Sequence, residues 1–463
     1  MKVAVVGAGF SGLLTAVHVL RLSPEARVVL IERSGVFGPG TAYATTNPDH
    51  VLNVRLTNMS AFSDEPHHLA EWLTEQSGWS ATSQFITRGL YGRYLRSILD
   101  GARTCGRLTQ LAAEVEDIER VGVRWRLRLS DQRPMLADAV VLALGVMEPT
   151  PPVGIASDLL ASSAYLANPW GQSGGLSDAA EHVLLVGSGL TMVDVAIGLA
   201  RPGRRFTALS RRGLTPRGHG LVGPAIWEAP DSLSPVALLR AVRDQAKARD
   251  WRMVMDGLRS QASTLWRDWT PVQRRQFLRH LRPWWDVHRH RLAPAVKERL
   301  DALIDLGEVS VVAGRTVSLK RDARGIVVTW RRRGERRARQ FRVDAVVNCT
   351  GPNGAVDHAA NPLISSLRRR GLLTPDPSGL GARIDDRCRL VDWRNQPLTG
   401  VHAVGPLTRG AFWEITSVPD IREQALGVAR AVLDGSALQA GLALRALPPA
   451  AQLHSSADGQ SRR

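Results

Sequence analysis

Apolar and polar positions along the chain follow one plan, and they follow it twice. A short apolar run, VAVV at 3–6, stops at a glycine cluster, and the residues after it, LLTAVHVLRL, carry apolar positions at helical spacing. The same succession of buried strand, glycines and helix returns in VLLVGSGLTMVDVAIGLA, with its first glycine at Gly187. Each half closes alike: residues 114–145 and 313–351 alternate as paired strands and end in a continuous apolar strand at Gly145 and Gly351. Between FTALSRRG and the later VSVVAG, residues 221–305 are rich in Trp and Arg at helical spacing, too long for a plain loop. The Pro-, Gly- and Ser-rich segment 148–180 reads as a crossover.

The glycines carry the chemistry. In Gly7-Ala8-Gly9-Phe10-Ser11-Gly12 the first glycine permits a tight turn, the second lets main chain approach a pyrophosphate, and the third lets helix and strand pack closely. The helix N-terminus favours the negative charge. The next strand, RVVLIE, ends at Glu32, a carboxylate placed to accept ribose hydroxyls. The second motif keeps Gly187 and Gly189 but has Met192 in place of the third glycine. Its following strand ends in Ser210-Arg211-Arg212, where a carboxylate would repel a 2′-phosphate and guanidinium groups pair with it. The first unit is therefore expected to hold FAD and the second NADPH, with NADH as the alternative donor. The fold class expected is α/β: two Rossmann-like dinucleotide-binding domains, the second inserted in the first, with a helical insertion. The boundaries expected are 1–165 and 346–440 for the FAD-binding domain, 180–345 for the NAD(P)H-binding domain with its insertion at 221–305, and a disordered tail at 445–463.

Composition narrows the field. The hydrophobic share of 44% and charged share of 22% are ordinary for a globular chain, and no apolar run reaches the roughly 18 residues of a membrane-spanning helix. With a strand pattern beginning directly after Met1, a signal peptide has no room, so a cytoplasmic location is expected. Cys105, Cys349 and Cys388 show no CxxC spacing, which argues against a disulfide framework, a zinc cluster or a dithiol relay. The net charge of +17 would suit many anions. Its densest run, RRRGERRAR at 331–339, reads as the solvated turn of a hairpin, and no nucleic-acid motif accompanies it.

The chain resembles a family of FAD/NAD(P)-binding flavoproteins that includes the FAD-dependent urate hydroxylase of purine degradation and an aspartate N-monooxygenase. The stretches that carry the resemblance are GAGFSG at 7–12, GPGTAYATTNPDHVLNV at 38–54, NMSAF at 58–62, ITRGLYGRYL at 86–95, NPW at 168–170, GSGLTMVDVA at 187–196, SRRGLTPRGH at 210–219, RPWWDVHRHRLAP at 282–294 and GPLTRGAFWEITSVPDIREQA at 405–425. The resemblance implies that Gly38, Gly40, Tyr43, Asn53 and Met59 line the flavin side, and that the GPLTRG turn brings a helix start toward the flavin ring. The cofactor-binding set also takes in Ser11, Arg33, Val115, Gly145, Gly405 and Thr416.

With FAD, a nicotinamide donor and O2, the implied activity is a monooxygenase acting on a small anionic molecule. The most chemically loaded stretch, RPWWDVHRHR, puts Trp285, His288, Arg289 and Arg291 forward as substrate-pocket residues, since flat anions bind well between aromatic faces and guanidinium groups. Urate, hydroxylated to 5-hydroxyisourate, is the specific expectation. N-oxygenation of an amino acid such as aspartate is one alternative, and an NADPH-dependent flavin reductase serving a partner protein is another. No metal is expected, His288 and His290 lacking a third ligand nearby, and His67 and His68 read as surface residues.

Overall fold

The computed structural model describes residues 1–76, 84–171, 176–221 and 223–445, so the expected tail, but for its first residue, lies outside the described residues. Two parallel sheets dominate. The first runs in the order Arg389–Val391, Pro397–Ala403, Ala139–Leu142, Lys2–Val6, Arg27–Glu32, Leu108–Ala112, parallel throughout except at its Arg389–Val391 edge. The second runs Ala338–Val343, Gly325–Arg332, Val309–Asp322, Arg205–Ser210, His182–Val186, Ala345–Asn348, Tyr165–Leu166. Every strand of the second sheet falls between two strands of the first in sequence, so the second unit is nested in the first.

The central strands are almost wholly buried, with helices packed on one face and the closing hairpin strands on the other, which is why they read as unbroken apolar runs. The helix Phe10–Leu22 is buried from Phe10 to Leu20, lying between the first sheet and the long helix Val418–Arg445. The duplication extends to hydrogen bonds. Gly7 N donates to Ile31 O and Gly187 N to Leu209 O; Ala143 N donates to Val6 O and Cys349 N to Val186 O. At the far end of the strands, Lys2 N donates to the Asp138 carboxylate as His182 N does to that of Asp344.

The two closing hairpins differ in one respect. Val115–Val121, Arg124–Leu129 and Pro134–Ala137 form a separate three-stranded sheet. In the second unit Val309–Asp322 instead runs on from the parallel sheet into the hairpin, with a shift of register between Thr316 and Ser318. The Arg-rich run at 331–339 lies at the exposed turn of that hairpin, with Glu335 accepting from Arg339.

From Pro235 on, the 221–305 stretch is largely helical, as the spacing predicts. Pro235–Ala248, Trp251–Asp268 and Arg282–Arg289 pack around an aromatic cluster of their own with Trp413. Pro294–Asp305 instead covers the second sheet, burying Val296, Leu300 and Leu303 in its core. Among the described residues no helix is long and apolar enough to cross a membrane.

Candidate functional site

The glycine turns show which glycines the protein itself requires. A Cβ on Gly7 would lie 2.2 Å from Ala143 O and one on Gly187 2.3 Å from Cys349 O, and both glycines have strongly positive φ, +101° and +116°. These two are demanded by the fold. Gly12 is equally tight, its Cβ falling 1.9 Å from Gly7 O, whereas its counterpart Met192 is a fully buried core side chain. Gly189 differs: a Cβ there meets nothing within 4 Å, and its φ of −86° suits any residue. Nothing among the described residues excludes a side chain at Gly189, so the room beside it fits a group that is not protein.

Around the first turn, Glu32 Oε2 accepts from Ala8 N at 3.0 Å and Oε1 from Ser34 N at 3.1 Å, which fixes the carboxylate at the rim of the glycine loop. Gly9 and Gly40 touch backbone to backbone, and Gly405, at φ +75°, faces the buried Ser11, whose Oγ a Cβ would meet at 2.4 Å. Gly405 N donates to Gln424 Oε1, which ties the GPLTRG turn to the helix Val418–Arg445. Gly38 N donates to Ala8 O, so the 38–43 segment folds over the same turn. The glycines, Ser11, Glu32 and Gly405 are thus brought together.

Other expected cofactor residues sit differently. Met59 and Val115 are core side chains, 2% and 3% exposed, so what they can offer a ligand is main chain. Tyr43 packs against Phe10 and Tyr91, and burial pushes its phenol up to about 12. Arg33 is exposed, 3.7 Å from Glu114. Asn53 presents its main-chain carbonyl to His219 Nε2 at 3.0 Å, where the two units meet. Gly145, at φ +67°, lies just past the strand Ala139–Leu142, and Thr416 is exposed just before the helix Val418–Arg445. Arg211 is exposed. Arg212 lies with its guanidinium 6.0 Å from the Trp284 ring centre.

The four substrate-pocket candidates do not form one open slot. Trp285 Nε1 donates to Glu414 Oε1 and Arg289 Nε to Glu414 Oε2, each at 3.0 Å, around a carboxylate that is 4% exposed. Burial alone would raise the Glu414 carboxyl; Arg289 and the other charges around it outweigh burial and hold it below its usual range. Arg291 is buried and doubly paired to Asp256, at 3.0 and 2.8 Å, and also donates to the Arg252 carbonyl. Its guanidinium is turned inward and offers no free clamp for an anion. His288 Nδ1 lies 2.8 Å from Trp284 O and its ring stands edge-on to Trp251. His68, expected at the surface, is half-buried against Phe62 and 2.7 Å from the Tyr94 hydroxyl, because its helix turns it inward; His67 is exposed.

Three residues escaped the sequence reading. Glu414 and Trp413 lay in a stretch singled out only for its likeness to a family, with no pattern to mark them as the hub of an insertion far away in sequence. Arg409 stacks on Trp413 at 4.6 Å and has no ion pair or side-chain hydrogen bond among the described residues. Burial first, and Arg282 second, bring its guanidinium down to about 10. At the seam between the units, Arg88 donates to Asp194 at 2.7 Å and lies over Trp170. Among the described residues no group of three or more His, Cys, Asp or Glu side chains could hold a metal.

A family model described as FAD-NAD(P)-binding matches residues 4–147. Comparison with curated proteins gave no match. Among solved structures the chain is similar to the ornithine N-hydroxylase of Kutzneria sp. 744, whose structure carries reduced FAD, NADP+ and L-ornithine, at 16% identity over 93% of this chain and 98% of that one, with a TM-score of 0.62. It is similar to L-lysine 6-monooxygenase from Pseudomonas syringae at 16% identity over 94% and 99%, with a TM-score of 0.64. The bacillithiol disulfide reductase of Staphylococcus aureus matches at 12% over 94% and 98%, with a TM-score of 0.58. At these identities the likeness is one of architecture: the chain has the two-unit α/β fold of FAD- and NAD(P)-binding flavoproteins.

Proposed function

We propose that the protein is a flavin-dependent monooxygenase that draws reducing equivalents from NADPH and N-oxygenates the amine of a small substrate. The observation that carries this reading is the fold likeness to two N-hydroxylating monooxygenases over nearly the whole of all three chains. The glycine turn at 7–12, with Glu32 fixed at its rim, holds the FAD pyrophosphate and ribose; the main chain at Gly189 and the guanidinium groups of Arg211 and Arg212 hold the nicotinamide donor. Bound there, FAD supplies hydride acceptance and oxygen activation. The aromatic insertion excludes water, which suppresses unproductive release of peroxide. Arg409, desolvated and without an ion pair among the described residues, is offered to an anionic group of substrate or cofactor.

The urate expectation loses its geometric basis, since Arg289 and Arg291 are committed to Glu414 and Asp256. The reductase alternative draws on the likeness to a disulfide reductase, but a relay needs two neighbouring thiols. Cys349 and Cys388 lie buried in the cores of different units, Cys105 is exposed, and burial pushes the Cys388 thiol up to about 12. The deciding experiment follows NADPH oxidation by the FAD-loaded protein in air with L-ornithine, L-lysine, L-aspartate, L-tryptophan or urate, measuring hydroxylamine product, urate loss and peroxide together. Amine-stimulated oxidation yielding an N-oxygenated product supports the reading. Oxidation that ends in peroxide with every amine overturns it.

A further inference from the structure

The helical insertion, together with Trp413, lines a half-open cavity of about 330 Å3. Its wall is aromatic and aliphatic: Trp251, Trp266, Trp269, Phe277, Trp285 and Trp413 contribute, with leucines from the helix Trp251–Asp268. Cavities of about 300–1,000 Å3 lined this way are the usual seats of small ligands, and an apolar void of about 150 Å3 already holds a benzene ring. A bicyclic aromatic fits the larger space. The polar groups in the wall are few. Arg243, which is solvent-exposed, is the one guanidinium in the lining. His288 engages the Trp284 carbonyl through Nδ1, which makes Nδ1 the donor and leaves Nε2 an acceptor in the neutral ring; burial lowers its pKa and so favours that neutral form.

The cavity shares its wall with the 405–418 turn. Trp413 and Trp285 form part of its wall, and both are tied to the 405–418 turn: Trp413 by sequence, Trp285 through Glu414. The same turn begins at Gly405, pressed against Ser11 of the first glycine loop.

We propose that this cavity seats the aromatic body of the substrate, and that the amine oxygenated belongs to an aromatic amino acid or arylalkylamine. The inference rests on the amine-oxygenase reading and deepens it. A charged ornithine or aspartate side chain would strand its charge among indoles, the guanidinium of the lining, on Arg243, being solvent-exposed, whereas an aromatic ring stacks on them.

The test is calorimetric binding of L-tryptophan and tryptamine to the full-length, FAD-loaded protein, with L-ornithine and L-aspartate as comparators. L-Tryptophan is expected to bind at least about tenfold more tightly than either comparator, since burying a ring contributes about 1.5–3 kcal/mol or more. Ala262→Phe, which fills the cavity, and Ala246→Phe at its half-exposed rim are each expected to abolish that preference while retaining FAD, which reports folding. Ornithine or aspartate binding more tightly than tryptophan overturns the proposal, as does tryptophan binding unchanged in both filling variants. So does a chain that binds no aromatic amine but self-associates until Ala246→Phe disperses it, which would make the cavity an interface between copies. Tryptophan bound without any N-oxygenated product leaves the cavity assignment standing and removes the oxygenase reading. N-oxygenated ornithine with no tryptophan binding does the reverse.

Discussion

Removing the Glu414 carboxylate should unsettle the whole junction between the insertion and the 405–418 turn, and its cost can be worked from the contacts. Glu414→Ala leaves Arg289, whose side chain is 13% exposed, as an uncompensated buried cation, at about 3–5 kcal/mol. It also strips the acceptor from Trp285 Nε1, which adds about 1–3 kcal/mol. A loss of about 4 kcal/mol at the low end corresponds to about 8–16 °C in the melting midpoint of a unit of 150–250 residues. The paired change Glu414→Leu with Arg289→Met removes both charges and keeps the volume, and should recover most of that loss, since apolar replacement of a buried pair is often neutral or stabilising. The assay is the thermal midpoint of the FAD-loaded protein, followed by flavin fluorescence and by circular dichroism, for both single variants and the double. The reasoning fails if Glu414→Ala moves the midpoint by less than about 2 °C, or if the double variant loses as much as the two singles added together.

Three further outcomes separate fold from function. Gly7→Ala should cost about 3 kcal/mol or more, because its Cβ meets a backbone carbonyl, while Gly189→Ala should leave stability within about 0.5 kcal/mol and raise only the KM for NADPH; equal melting midpoints for the two variants would refute the distinction. Arg211→Ala with Arg212→Ala should raise the KM for NADPH about tenfold or more and leave that for NADH nearly unchanged, checked by steady-state kinetics with both donors. Asp194 is pushed up to about 6 by burial, with Arg88 opposing, so its ionised form is penalised in the folded state. The stability associated with its protonated form is fully present below the unfolded value of about 3.9 and is lost as pH rises toward 6, a swing of about 3 kcal/mol. Denaturation from pH 4 to 7 should therefore show the difference between wild type and Asp194→Asn falling with pH; a constant difference would show that the carboxyl is not perturbed.

What could be read from the chain follows the range of the forces involved. The nested sheets were legible because parallel strands buried on both faces leave unbroken apolar runs, and because glycine is compulsory where Gly7 and Gly187 meet carbonyls across the turn. The helical insertion was legible from spacing alone. The substrate side was not, for a physical reason: a guanidinium is free or occupied according to partners brought in by folding. Arg291 and Asp256 are 35 residues apart on different segments, and Arg289 meets a glutamate 125 residues away. Counting arginines beside tryptophans therefore predicted an anion slot where the fold had already neutralised both charges. Conversely, nothing in the GPLTRG stretch marked Arg409 as unpaired, because that property belongs to its surroundings: Arg282, itself directed at Asp286, and the indole of Trp413. The same logic explains why the apolar cavity went unseen. Its tryptophans come from two helices, from Trp269 just past one of them and from the turn at 413, each reading singly as core, and only their arrangement leaves a space that no side chain of the described residues fills.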